Sequence, residues 1–347
     1  MVTRFLTGTL SPQSSFTSTR PPKVGWKTTP DQLADMINQH KLAGDPAYTA
    51  IAESTAETAR NRAVASVDHT PGARWPVAAL AIGGRHWEVV HGFTQGNTGK
   101  FIVHARNPLP DRQALFPAAT PPPHADGDSC DTLNLTSGGA LEDEAVEWNG
   151  WIDDYFTACS LLPAKWKNKF IIVAPERRNI PLMRTVGPAG PGRGSRVADG
   201  HSAIDAAFAG LRESGLLNLS DWGDSLANTA PGAAYPSLHV QRLDGKSSYY
   251  LVALTRPDGR GALVAINEAN GDFRSARLNP PPGLVHTLFN SPAGRTSDAE
   301  RIVWIPCPES FFSPWFPFAE ITDRGRTRYV RLFDQKSFDV LDTGRLY

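Results

Sequence analysis

The stretch that most constrains this chain is residues 77–108, VAALAIGGRHWEVVHGFTQGNTGKFIVHARNP. An apolar run, Val77 to Ile82, ends at the Gly83-Gly84 break. A second run, His86 to Gly92, alternates and is rich in valine and aromatic residues. A turn follows at Gln95-Gly96-Asn97-Thr98-Gly99, and a third run covers Lys100 to Arg106. Runs of this length bounded by Gly and Asn read as consecutive strands of one sheet. With the second and third strands antiparallel, His86 at the start of one and Asn107 at the end of the other come side by side. A histidine next to a side-chain amide is how a general base and its orienting group are arranged in cysteine-nucleophile catalysis.

The two motifs are Gly84-Arg85-His86-Trp87-Glu88-Val89-Val90-His91-Gly92-Phe93 and Phe101-Ile102-Val103-His104-Ala105-Arg106-Asn107-Pro108. Together they resemble the histidine half of papain-like cysteine peptidases, closest to the bacterial branch related to double-glycine-leader peptidases. That branch writes G-H-W-V-V-V-x-G-Y, a turn, then a strand ending in Asp-Pro or Asn-Pro. The resemblance implies His86 as general base, Asn107 as its orienter and Trp87 on the cleft wall. It also implies a peptide or protein as substrate or ligand, and no cofactor or metal. The family carries its nucleophilic cysteine upstream, on the first helix. Here no cysteine precedes His86; Cys130, Cys159 and Cys307 all follow it.

Three functional expectations come from that departure. The first is a thiol peptidase or amidase lineage that is inactive as the sequence stands, with the cysteine helix either encoded before Met1 or absent from a pseudoenzyme. The second is a non-catalytic peptide- or protein-binding module on the same fold. The third is a complete thiol protease in the order His86, Asn107, Cys130, similar to the ubiquitin-like-protein proteases. Those enzymes place a Gln shortly before the cysteine, whereas Asp126 and Asp128 precede Cys130. Neighbouring carboxylates raise a thiol pKa and oppose thiolate formation. The run His124, Asp126, Asp128, Asp131 clusters oxygen ligands but lacks the spacing of a known calcium loop, and reads as a solvated turn.

Composition bounds the rest. A length of 347 residues fits two domains. Lys plus Arg equals Asp plus Glu at 35 each, which offers no expectation of nucleic acid or a polyanionic surface as partner. The basic patches at Arg177-Arg178 and Arg324 to Arg331 are short. Three scattered cysteines form neither a disulfide framework nor a zinc pattern. No apolar run approaches the ~20 residues of a membrane span. Residues 1–20 lack the layout of a secretory signal, which makes the cytoplasm the default location. Oligomeric state is not written in the pattern.

The expected fold is α+β in two parts. Residues 1–24 read as a disordered lead. Residues 25–178 read as a papain-like domain with helices on an antiparallel sheet. Its helices are expected from Pro30 to Gln39, Ala47 to Val67 and within Glu142 to Cys159, and its last strand at Lys169 to Ala174. The Gly/Pro/Arg-rich residues 179–200 read as a linker. Residues 201–347 read as a smaller α+β domain: a helix from His201 to Leu216, then a β-meander over Ser248–Leu254, Gly261–Ile266 and Phe273–Leu278. Further strands are expected at Ile302–Ile305 and Arg328–Phe333. The meander, with Asn270-Gly271 before its third strand, is weakly similar to PepSY-like domains.

Overall fold

The computed structural model describes residues 29–67, 75–84, 86–95, 101–106, 144–154, 156, 158–159, 164–176, 194, 196–229, 235–256, 260–280, 282–290, 299–310 and 313–343. Six α-helices and fourteen strands lie among these residues. The helices are α1 (Pro30–His40), α2 (Ala56–Val67), α3 (Trp148–Asp154), α4 (Gly200–Glu213), α5 (Ser220–Leu226) and α6 (Pro282–Asn290). The strands are β1 (Tyr48–Glu53), β2 (Val77–Ala81), β3 (His86–Gln95), β4 (Phe101–Arg106), β5 (Glu144–Glu147), β6 (Phe170–Pro175), β7 (Ser237–Arg242), β8 (Tyr249–Thr255), β9 (Gly261–Asn267), β10 (Phe273–Leu278), β11 (Ala299–Trp304), β12 (Phe318–Asp323), β13 (Arg326–Arg331) and β14 (Ser337–Phe338). They follow the order β1-β6-β2-β3-β4-β5-β10-β9-β8-β7-β11-β12-β13-β14. Neighbours pair antiparallel, except β7 with β11. At the coarse level this is the α+β fold read from the sequence.

The period-two alternation of the central strands explains how both faces are covered. On one face Val77, Ala79, Ala81, Val90, Val103 and Val146 pack under α2 and under Trp148 and Trp151 of α3. On the other, Ala78, Val89 and Val173 pack under Ala34 and Ile37 of α1. Further along, α4 and α5 cover Val252, Leu254, Val264 and Ala276, and this core runs on to Ile102 of β4 and Ala145 of β5. In the C-terminal half the opposite face holds Leu251, Ala253, Leu263 and Ala265 against α6 and against Trp304, Trp315 and Phe316. Strands buried on both faces become continuous apolar runs, and β2, VAALA, is buried at all five positions.

The sheet continues from one half to the other by strand pairing. β5 pairs with β4 on one side and with β10 on the other. β6, the last strand of the first half in sequence, lies between β1 and β2.

Two expected helices differ from what forms. Ala47 to Val67 divides into β1 and α2. The break comes at Ser54-Thr55, where Thr55 Oγ1 accepts from the Thr58 N–H at 3.1 Å and opens α2. Within Glu142 to Cys159, β5 forms first and α3 starts only at Trp148. There Glu147 Oε2 accepts from the N–H groups of Asn149 and Gly150, both at 2.8 Å. The helix at Pro30 forms as read, with Thr29 and Gln32 in a reciprocal capping box. The meander β8-β9-β10 also forms.

Candidate functional site

The apolar β2 runs into a tight turn at Ile82–Gly84, where Gly83 has φ +62° and Gly84 φ +96°. The chain then reverses into β3. His86 is the first residue of β3 and stands opposite Ala81 of β2. β3 and β4 are antiparallel, with Val89 opposite Arg106 and Val90 opposite Ala105, and the register shifts between Val90 and Gly92. β4 ends at Arg106, three positions along β3 from His86. Asn107, Cys130 and the acidic run at 124–131 lie outside the described residues, as does the side chain of His86. Trp87 is half-buried and packs with Leu80, Cys159, Trp166 and Ile171.

Two residues past His86, the Glu88 carboxylate is 2% exposed. Trp151 Nε1–H donates to its Oε2 at 2.9 Å, and the Trp151 ring stacks on Phe156 at 4.8 Å between centroids. A buried carboxylate needs such donors to remain ionised. Its sequence signal is an acid between Trp87 and the Val89-Val90 pair of the strand. Further along the same hairpin, His104 Nε2 is 2.6 Å from Thr94 Oγ1, and the His91 and His104 rings lie 6.2 Å apart.

Arg60 of α2 reaches the start of α3. It stacks 3.9 Å over the Trp148 ring and donates to the Trp148 carbonyl at 3.1 Å and to Asn149 Oδ1 at 3.3 Å. Burial lowers its pKa to about 10, so it is still a cation at neutral pH.

Both described cysteines are buried. Cys159 lies against the turn before His86: a Cβ at Gly84 would stand 2.7 Å from its Sγ. Its N–H donates to the Lys169 carbonyl at 2.9 Å. The Cys307 thiol is pushed up to about 12, chiefly by burial, against the counter-effect of Ser310 hydrogen bonds. It is therefore protonated at neutral pH and unsuited to attack. Among the described residues no group of three His, Cys, Asp or Glu side chains is placed to hold a metal ion, and no helix is long and apolar enough to cross a membrane.

A second polar cluster, not singled out in the sequence, sits at the entry to α4. Glu268 follows β9. Its Oε1 accepts from Arg196 Nη2 at 2.7 Å and its Oε2 lies 3.0 Å from His239 Nε2. The Arg196 hydrogen bonds hold this carboxyl below the usual carboxylate range, with His239 adding to the effect. Its main-chain carbonyl accepts from the Val197 N–H at 2.8 Å, fastening the chain ahead of α4 to the sheet. The signal available was a Glu two residues ahead of the Asn270-Gly271 pair.

No family model, curated protein or solved structure matches this chain.

Proposed function

We propose that the chain carries the histidine half of a papain-like thiol peptidase or amidase fold and is catalytically inactive as it stands, with His86 in the position of the general base and Asn107 in that of its orienter. The observation that supports this is the β3–β4 ladder. His86 opens β3, and β4 ends beside Val89 immediately before Asn107. The reading would not survive an experimental structure in which the His86 ring and the Asn107 side chain lie more than about 6 Å apart, a span too long for even a loose apo hydrogen bond.

Neither Cys159 nor Cys307 suits the nucleophile's role, being buried, and Cys307 also held protonated. The 347 residues by themselves are therefore expected to show no thiol-dependent hydrolysis of fluorogenic peptides or esters. Activity that disappears in Cys130→Ser and in His86→Ala, with circular dichroism unchanged, would favour the order His86, Asn107, Cys130 instead.

The division near residues 179–200 belongs to the same proposal. Arg196 and Val197 are already tied to Glu268 of the C-terminal half. Limited proteolysis is expected to cut before residue 194 ahead of any cut within the flanking strands.

A further inference from the structure

The two ends of the sheet are finished differently. At one end β14 has only two residues, and the neighbouring hairpin carries the exposed Arg324, Arg326 and Arg328. Short, charged edges are how natural sheets discourage pairing with another chain. At the other end β1 is a regular edge strand. Its six residues pair with β6 without a register shift, from Tyr48 opposite Pro175 to Glu53 opposite Phe170. The sequence Tyr48-Thr49-Ala50-Ile51-Ala52 contains no charge and no proline. Glu53, which follows, is turned towards α2, with its Oε1 2.7 Å from Arg62 Nε.

Asn38 of α1 identifies which main-chain groups of β1 face outward. Its Oδ1 accepts from the Tyr48 N–H at 2.7 Å, and its Nδ2 donates to the Tyr48 carbonyl at 2.9 Å. One side-chain amide thus supplies Tyr48 with the donor and acceptor that a neighbouring strand would supply. Antiparallel alternation then turns the N–H and C=O groups of Ala50 and Ala52 to the same outer side. No described residue bonds to them there. Ala50 is half-buried and Ala52 exposed, and both are small, which leaves room beside the strand.

We propose that β1 is a docking edge for an extended peptide, which adds as a further strand along Ala50 to Glu53 and is stopped at Tyr48 by the Asn38 amide. Main-chain hydrogen bonds would supply the affinity, and small or apolar side chains at alternate positions would suit the uncharged edge. A second copy of the chain is a poorer fit. Six residues span about 20 Å, and pairing along that edge alone buries well under the roughly 1,000 Å² of a stable protein interface. The proposal does not depend on His86 being catalytic.

The test is amide hydrogen exchange by NMR on the full chain, with and without a blocked hexapeptide of alternating threonine and valine. In the free protein Thr49 and Ile51, bonded to β6, should exchange slowly, and Ala50 and Ala52 fast. Saturating peptide should slow Ala50 and Ala52 by about tenfold or more while leaving the other pair unchanged. Ala52→Pro removes one outward N–H, a change edge strands tolerate, and should weaken peptide binding about fivefold or more. Two control peptides test the same pairing without any mutation: one N-methylated at alternate residues keeps one hydrogen-bonding edge and should bind, whereas one N-methylated at every residue should not. Equal binding of these two, or no slowing at Ala50 and Ala52, would overturn the proposal. So would protection of those amides in the free monomer, which means the chain covers its own edge. Protection that rises with protein concentration alongside a dimeric mass would assign the edge to a second copy instead.

Discussion

Gly84 is where a single methyl group probes the geometry just ahead of His86. A Cβ there would stand 2.7 Å from Cys159 Sγ, and 3.8 Å from Cys159 Cβ. The residue also has φ +96°, which L-residues rarely adopt. Gly84→Ala therefore meets two separable costs. The backbone conformation costs about 1–3 kcal/mol for a residue with a side chain. Overpacking against a 2%-exposed thiol costs about 1–3 kcal/mol more. The sum, about 2–6 kcal/mol, is a large part of a typical stability of about 5–15 kcal/mol. Cys159→Ala removes the sulfur and leaves a Cβ at ordinary contact distance, so in that background only the backbone cost should persist. Urea denaturation of the four proteins of the cycle should give a coupling of about 1–3 kcal/mol, the double variant being less destabilised than the sum of the singles. Additivity within about 0.5 kcal/mol would refute the close approach of Gly84 to Cys159. It would also remove the reason for placing that thiol against the turn that leads into β3.

Trp151→Phe should destabilise the fold by about 1.5–3 kcal/mol in chemical denaturation, because the buried Glu88 carboxylate loses an indole donor at 2.9 Å. Iodoacetamide should leave Cys159 and Cys307 unmodified in the native protein and label both in urea, as mass spectrometry would read; rapid native labelling of Cys307 would contradict its burial and raised pKa. Glu268→Gln should cost a few tenths to about 1 kcal/mol at pH 7, since its partner Arg196 is solvent-exposed. The folded pKa of Glu268 is depressed below 4.5, so its contribution is present above that value and lost as pH falls through the folded pKa. Melting curves of wild type and variant should accordingly converge in acid, and a difference that persists there would exclude an ionic origin.

How far the sequence could be read depended on whether the signal was local. The β2-β3-β4 stretch and the β8-β9-β10 meander were legible because strand alternation and turn residues are written in consecutive positions. β1 was not, because Tyr48 to Glu53 is rich in alanine and leads into a true helix. Its strand state is set by pairing with β6, more than a hundred residues away, and by the Asn38 amide. β7, SLHVQR, mixes polar and apolar residues and takes its place from β8 on one side and the parallel β11 on the other. β12, which begins at Phe318, and the helices α5 and α6 were not among the expected elements. At the candidate site β3 opens at His86 and β4 ends at Arg106, opposite Val89, while Asn107 lies outside the described residues. The buried Glu88 and Arg60 went unread because their partners, Trp151 and Trp148, lie 63 and 88 residues away.

The same distinction explains how one sheet can join two halves that read as separate in sequence. Residues 107–143 intervene between β4 and β5, and β5 contributes only four residues. An apolar strand so short would specify its register weakly, since a slip of one residue exchanges its two faces. β5 is not wholly apolar. Glu144 stands opposite Arg277 of β10, and the two are 2% and 1% exposed. A slip would move the buried acid from its place opposite the arginine to one opposite Leu278 or Ala276, and charge buried away from an opposite charge is costly. Ala145 and Val146 then fall to opposite faces, Ala145 into the core beneath α4 and Val146 into that beneath α2 and α3. Opposite charges at facing buried positions add little to net stability, but they disfavour the other registers. At the seam between the halves, that selectivity is what a four-residue strand lacks by itself.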